Sequence, residues 1–79
     1  MGKKEKNDKS YQMQLVGNNE AYIEGFKRIV EYDENLIVVS TKRVNIAFYG
    51  CDLSMKFMNR ESVTVMGKIT QIQFIDKRR

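Results

Sequence analysis

The chain has 79 residues with a net charge of +4, no histidine and a single cysteine. A chain of this length forms one domain with a small core, and the lack of histidine removes the commonest general base and transition-metal ligand. A lone cysteine cannot build a Cys/His zinc site. We therefore predict a non-enzymatic protein without catalytic residues, metal or cofactor, in which Cys51 is a structural thiol.

The two ends of the chain hold the excess positive charge. Residues 1–10 have four lysines, two acidic residues and no apolar side chain after Met1, which predicts a disordered basic arm. Residues 77–79 are all basic and predict a short C-terminal tail. Residues 11–75 are balanced in charge, so the single domain predicted for residues 11–76 has no dedicated basic face. We expect solvated tails, with weak contact to an anionic membrane as the alternative.

Short runs of alternating apolar and polar residues fill the chain after Tyr11. They are rich in Val, Ile, Tyr, Phe and Thr, and several close on a glycine, which indicates strands that end in turns or bulges. The predicted strands cover residues 12–16, 20–24, 27–32, 36–41, 43–49, 53–58, 62–66 and 69–75. We predict an all-β fold: a small antiparallel meander of seven or eight short strands, strongly coiled or partly closed.

Turn residues and alternation set the predicted connections and faces. Gly17-Asn18-Asn19 and Asp33-Glu34-Asn35 have the composition of tight turns, and Thr41-Lys42 is a weaker break. The alternation slips around Gly67, which predicts a bulge. The side chains predicted to share the inner face include Leu53, Met55, Phe57, Ile72 and Phe74.

One predicted strand is apolar on both faces. Leu36, Ile37, Val38 and Val39 are consecutive, so this strand is either central in the sheet or covered by another chain. Further apolar side chains fall on the nominally outer face: Tyr49, Met58 and Met66. These seven residues are our candidate interaction surface for a second copy or a partner protein, unless a strongly coiled sheet covers them itself.

The expected compartment follows from cysteine usage and hydropathy. An unpaired thiol and the lack of a signal peptide indicate a reducing, intracellular setting. The longest apolar runs, such as residues 36–39, are far too short to span a bilayer, which predicts a soluble protein.

A rival interpretation is a small Sm-like β-barrel that binds RNA. The segment from Ile23 to Val39 vaguely resembles the first Sm motif, and Val44-x-Ile46-x-x-x-Gly50 resembles the second. The Sm-like pattern, however, spaces its aspartate and asparagine more widely than Asp33 and Asn35, and it starts with a helix. Phosphate binding also needs clustered Lys and Arg, so the balanced charge argues against nucleic acid.

A second resemblance, to another protein family, covers more of the chain than the Sm-like one. It depends on four segments that match in order and spacing from about residue 13 to residue 75. They are Ile23-Glu24-Gly25, then Tyr32-Asp33-Glu34-Asn35-Leu36-Ile37-Val38-Val39, then Val44-x-Ile46-x-x-x-Gly50-x-x-Leu53-x-Met55, and Val65-x-Gly67-x-Ile69-x-x-Ile72-x-Phe74. With these segments the chain resembles the YabP/YqfC sporulation proteins of endospore-forming bacteria.

The resemblance implies a role in sporulation. It implies a mother-cell protein needed for spore envelope or coat development, in the cytoplasm or peripheral at the forespore outer membrane. Genes of this family commonly lie beside one for an integral membrane protein, so the implied partner is a membrane protein of the forespore envelope, with or without homo-oligomers. The family offers no catalytic motif. We expect an interaction or adaptor module.

Overall fold

The computed structural model describes residues 11–77, and the predicted arm at residues 1–10 lies outside them. This part of the chain contains strands and turns without a helix, which confirms the all-β prediction. The strands are β1 (Gln12–Val16), β2 (Glu20–Glu24), β3 (Arg28–Asp33), β4 (Leu36–Ser40), β5 (Val44–Lys56) and β6 (Ser62–Asp76).

The strands form one six-stranded antiparallel sheet in the order β1-β2-β6-β5-β4-β3. Strands β3 to β6 follow each other as a meander, whereas β2 pairs with β6 instead of β3. The β1–β2 hairpin therefore lies at the far side of the sheet. The sheet does not close, because within residues 11–77 the outer strands β1 and β3 are not paired with each other.

The strand count is lower than predicted because two pairs of predicted strands are continuous. Predicted strands 43–49 and 53–58 merge into β5, and 62–66 and 69–75 merge into β6. Their interruptions are bulges: the β5–β6 register shifts between Tyr49 and Gly50 and again between Cys51 and Ser54. A bulge bends a strand and increases its twist without ending it.

The two hairpins dock on these bulges in the same way. In the β1–β2 turn, the carbonyls of Asn19 and Asn18 accept hydrogen bonds from the N–H groups of Gly67 (3.1 Å) and Ile69 (2.9 Å). In the β3–β4 turn, the carbonyls of Asn35 and Glu34 accept from Gly50 (3.1 Å) and Leu53 (2.8 Å). An approximate two-fold relationship thus exchanges β1 with β3, β2 with β4 and β6 with β5.

The core is formed by the inner face of both halves of the bent sheet. Its buried side chains alternate along each strand with residues of the outer face, as a sheet with one dry face requires. The core residues are Ala21, Ile23, Ile37, Val39, Ile46, Phe48, Leu53, Val63, Val65 and Ile69.

Candidate interaction surface

The predicted interaction surface divides between the two faces of β4. Ile37 and Val39 point into the core and are 0% exposed. Leu36 and Val38 lie on the outer face and are half-buried. The four consecutive apolar residues therefore serve two faces of the strand. Ile37 and Val39 fill the core, and Leu36 and Val38 are partly open to solvent.

Tyr49 joins Leu36 and Val38 on the outer face. The β4–β5 register places Tyr49 directly opposite Leu36, and Ala47 opposite Val38. The Tyr49 phenol donates a hydrogen bond to Oε1 of Gln73 on β6, at 3.4 Å. Ala47, between these neighbours, is only 1% exposed. We call Leu36, Val38 and Tyr49 the outer patch.

Acidic and amide side chains border the outer patch. On the β3 side, Asp33 lies opposite Leu36 and Glu31 opposite Val38, and both carboxylates are exposed. On the β6 side the register places Gln71 opposite Tyr49, with Gln73 beyond Ala47. The patch is therefore apolar at its centre and negatively charged along one side.

The remaining predicted surface residues lie elsewhere. Met66 is half-buried on the outer face of the other half of the sheet, paired with Glu20 and Ser54. Met58 follows β5 in the turn before β6 and is 49% exposed. The structure thus joins three of the seven predicted residues into one patch, and these two methionines belong to separate surfaces.

One face assignment was wrong. Phe57 was predicted on the inner face, but β5 ends at Lys56 and Phe57 is 76% exposed. Its φ of +52° breaks the alternation, so its side chain turns away from the core. The neighbouring sequence Asn59-Arg60-Glu61, which is turn-like, is the signal that the strand stops here.

Other exposed apolar side chains were missed by sequence reasoning. Val30 and Tyr32 of the outer strand β3 are about half exposed, at 47% and 57%. Phe74 is 51% exposed and Ile75 is 43% exposed near the end of β6. Phe74 does share the inner face with Ile72 as predicted, because their β5 partners are the core residues Ile46 and Phe48. Its exposure comes from the sheet order, which local alternation does not reveal.

Groups capable of chemistry are dispersed. Among the described residues, no three His, Cys, Asp or Glu side chains are grouped as metal ligands would be. Cys51 is exposed in the bulged part of β5, where it pairs with Lys68. Within residues 11–77 there is also no helix with the length and apolarity to cross a bilayer.

Comparison with known proteins gives one clear match. The model of the YabP family matches residues 7–79, which is nearly the whole chain. Neither the curated proteins nor the solved structures contain a significant match.

Proposed function

Because the chain belongs to the YabP family of sporulation proteins, we propose that it is a non-enzymatic adaptor in assembly of the spore envelope or coat. Family membership makes the protein sporulation-related, and the adaptor role is our inference from its surface. The observation that supports it most directly is the outer patch, where Leu36, Val38 and Tyr49 leave apolar area open on the solvent face of the sheet. Exposed apolar patches with a polar rim are typical of protein contacts.

The charge beside the outer patch indicates which type of partner can bind there. The exposed carboxylates of Glu31 and Asp33 repel an anionic lipid surface and favour a partner with Lys or Arg next to apolar residues. Segments of membrane proteins that flank a spanning helix on the cytoplasmic side are enriched in Lys and Arg. The partner that fits is therefore such a segment of an integral membrane protein of the forespore envelope.

This partner sets the proposed location. The protein would act in the mother-cell cytoplasm and be held peripherally at the forespore outer membrane through its partner. The lysines of residues 1–10 and the arginines at positions 78 and 79 add weak attraction to anionic lipid headgroups. Homo-oligomers are compatible with this role.

The RNA-binding alternative receives no support from the patch. Phosphate groups would meet the carboxylates of Glu31 and Asp33, and RNA affinity depends on clustered positive charge. Purified protein is therefore expected to carry no nucleic acid. An absorbance ratio at 260 and 280 nm that falls after a high-salt wash would favour the RNA alternative.

The experiment is affinity capture from sporulating cells with three tagged proteins. Wild type is compared with Val38→Lys, which puts a charge in the outer patch, and with Tyr22→Lys on the outer face of β2 as the matched control. We expect wild type and Tyr22→Lys to capture the same integral membrane protein, and Val38→Lys to lose it while its circular dichroism is unchanged.

The binding and the cellular role are tested together by a second readout. A strain with Val38→Lys as its only copy should form spores with a defective envelope, because the adaptor no longer reaches its partner. Capture of the same membrane protein by Val38→Lys, or normal spores in that strain, would contradict the proposal. Ile37→Lys is unsuitable here, because Ile37 is fully buried and its replacement unfolds the core.

A further inference from the structure

The second half of β6 is an open edge of the sheet. Pairing with β2 ends at Met66, and the β1–β2 turn reaches only as far as Ile69, whose N–H donates to the Asn18 carbonyl at 2.9 Å. From residue 70 to residue 76, β6 has β5 on one side. On the other side no strand of the described chain is paired with it.

The register shows which backbone groups point to this open edge. The N–H of Lys77 donates to the carbonyl of Arg43 at 3.0 Å, so the position 43/77 is a hydrogen-bonded pair. Hydrogen-bonded and non-hydrogen-bonded pairs alternate along an antiparallel ladder. Ile75 and Gln73 therefore bond to β5, and the N–H and C=O groups of Ile72 and Phe74 are directed outward.

This edge lacks the usual protection against pairing. Residues 70–76 contain no proline and no lysine, and their single charged residue is Asp76 at the far end. Phe74 and Ile75 are 51% and 43% exposed. A groove of about 230 Å³ lies beside the start of the edge, and Leu15, Ile69 and Ile72 supply most of its apolar lining.

We propose that a second copy of this chain pairs with the edge, antiparallel, with Gln73 of each copy at the two-fold axis. The β1–β2 turn blocks pairing before residue 70, and Gln73 is the midpoint of residues 70–76. Two copies related in this way form an isologous interface, in which the same surface is used twice.

The inner face of the edge is complementary to itself in this register. Ile72 faces Phe74 of the second copy on the inner face, and this apolar pair occurs twice. On the outer face Gln73 faces Gln73 and Gln71 faces Ile75, and on the inner face Asp76 faces Thr70, so within residues 70–76 no like charges meet. The two Ile72–Phe74 pairs supply about four backbone hydrogen bonds.

The groove beside the edge provides an apolar contact for the second copy. Phe74 of the second copy stands next to Ile72, on the side where Leu15 and Ile69 line the groove, so its exposed ring gains an apolar environment. The two sheets become one continuous sheet across the axis. This dimer leaves the outer patch on β4 and β5 open, and its formation does not depend on the adaptor role.

The first test measures amide hydrogen exchange and molar mass of the full chain, under reducing conditions because Cys51 is exposed. We expect a dimer, with protection of the Ile72 and Phe74 N–H groups that rises with protein concentration. The N–H of Met13, on the free edge of β1, is the control and should exchange equally at all concentrations. A monomer at about 1 mM protein, or a dimer whose new protection lies on β1, would overturn the proposal.

The second test separates the contribution of the Phe74 N–H group to dimer affinity from the contribution of its aromatic ring. Phe74→Pro and Phe74→Thr both remove the ring, and only Phe74→Pro also removes an N–H that β5 does not use. We expect Phe74→Thr to weaken the dimer by about tenfold and Phe74→Pro by about a hundredfold or more. Equal effects of the two variants would contradict pairing through the backbone. Should Phe74→Pro fail to fold, the Phe74→Thr variant and the exchange pattern of wild type still decide the question.

Discussion

Gly50 of β5 lies directly against the carbonyl group of Lys68 on β6, so closely that a Cβ on Gly50 would overlap the Lys68 oxygen. The same relationship recurs on the other side of the bend. A Cβ on Gly67 would lie 2.5 Å from the carbonyl oxygen of Asp52. Glycine at both positions allows the two long strands to cross tightly, and this bend brings the two halves of the core together.

We expect Gly50→Ala to lower the free energy of unfolding by about 3 kcal/mol, because backbone atoms of β6 must move to admit the methyl group. Gly17→Ala is the control. A Cβ at Gly17 would meet only the Asn19 side chain at 3.8 Å, and its φ of +59° adds a penalty of about 1 kcal/mol. Urea denaturation of both variants measures the difference. Equal stability of the two would mean that the close approach at the bend is not needed.

The strands and the bulge near Gly67 were predictable, whereas the continuity of β5 and β6 through the bend was not. Local alternation located each run of the sheet within a residue or two, because inward and outward side chains alternate in any strand. Residues 50–52, between the predicted strands 43–49 and 53–58, look like a turn in the sequence. Whether they are a turn or a bulge depends on how they pair with residues 66–69 of β6, on the opposite strand. Register shifts of this kind are non-local.

The candidate surface was predicted only in part for a related reason. The consecutive apolar residues at 36–39 indicate that both faces of the strand are apolar. Alternation alone does not show whether residues 36 and 38 or residues 37 and 39 are buried. That depends on the core, which takes Ile37 and Val39. Phe74 fits the inner-face pattern and is still exposed, because β2 covers only the first half of β6.

Thr41 stabilises the turn between β4 and β5, so its replacement should lower the free energy of unfolding. The side chain is 0% exposed; its Oγ1 donates to the Val44 carbonyl (2.8 Å) and accepts from the N–H groups of Val44 (3.1 Å) and Arg43 (3.3 Å). Thr41→Val keeps the shape and removes the hydroxyl, so we expect a loss of about 1–3 kcal/mol in unfolding free energy. Thr41→Ser keeps the hydroxyl and should lose only about 1 kcal/mol. Urea denaturation of both variants measures the difference. If Thr41→Ser were less stable than Thr41→Val, packing of the methyl group would matter more than the hydrogen bonds of the hydroxyl.

Lys77 links the end of β6 to this same turn. Its Nζ donates to Ser40 Oγ at 2.9 Å and to the Thr41 carbonyl at 2.7 Å. Ser40 is 1% exposed, so loss of the ammonium leaves a buried hydroxyl with a poorer partner. Lys77 therefore acts as part of the folded domain, although its charge groups it with the basic tail in the sequence.

This assignment predicts that Lys77→Met lowers the free energy of unfolding by about 1–2 kcal/mol, because hydrogen bonds from a charged donor are lost. Lys56→Met, at an exposed position of β5, removes the same charge and should stay within about 0.5 kcal/mol of wild type. Thermal and urea unfolding of the two variants at one ionic strength separate the local bonds from the change in net charge. A Lys77→Met protein as stable as Lys56→Met would place Lys77 with the tail, and the domain would then end at Asp76.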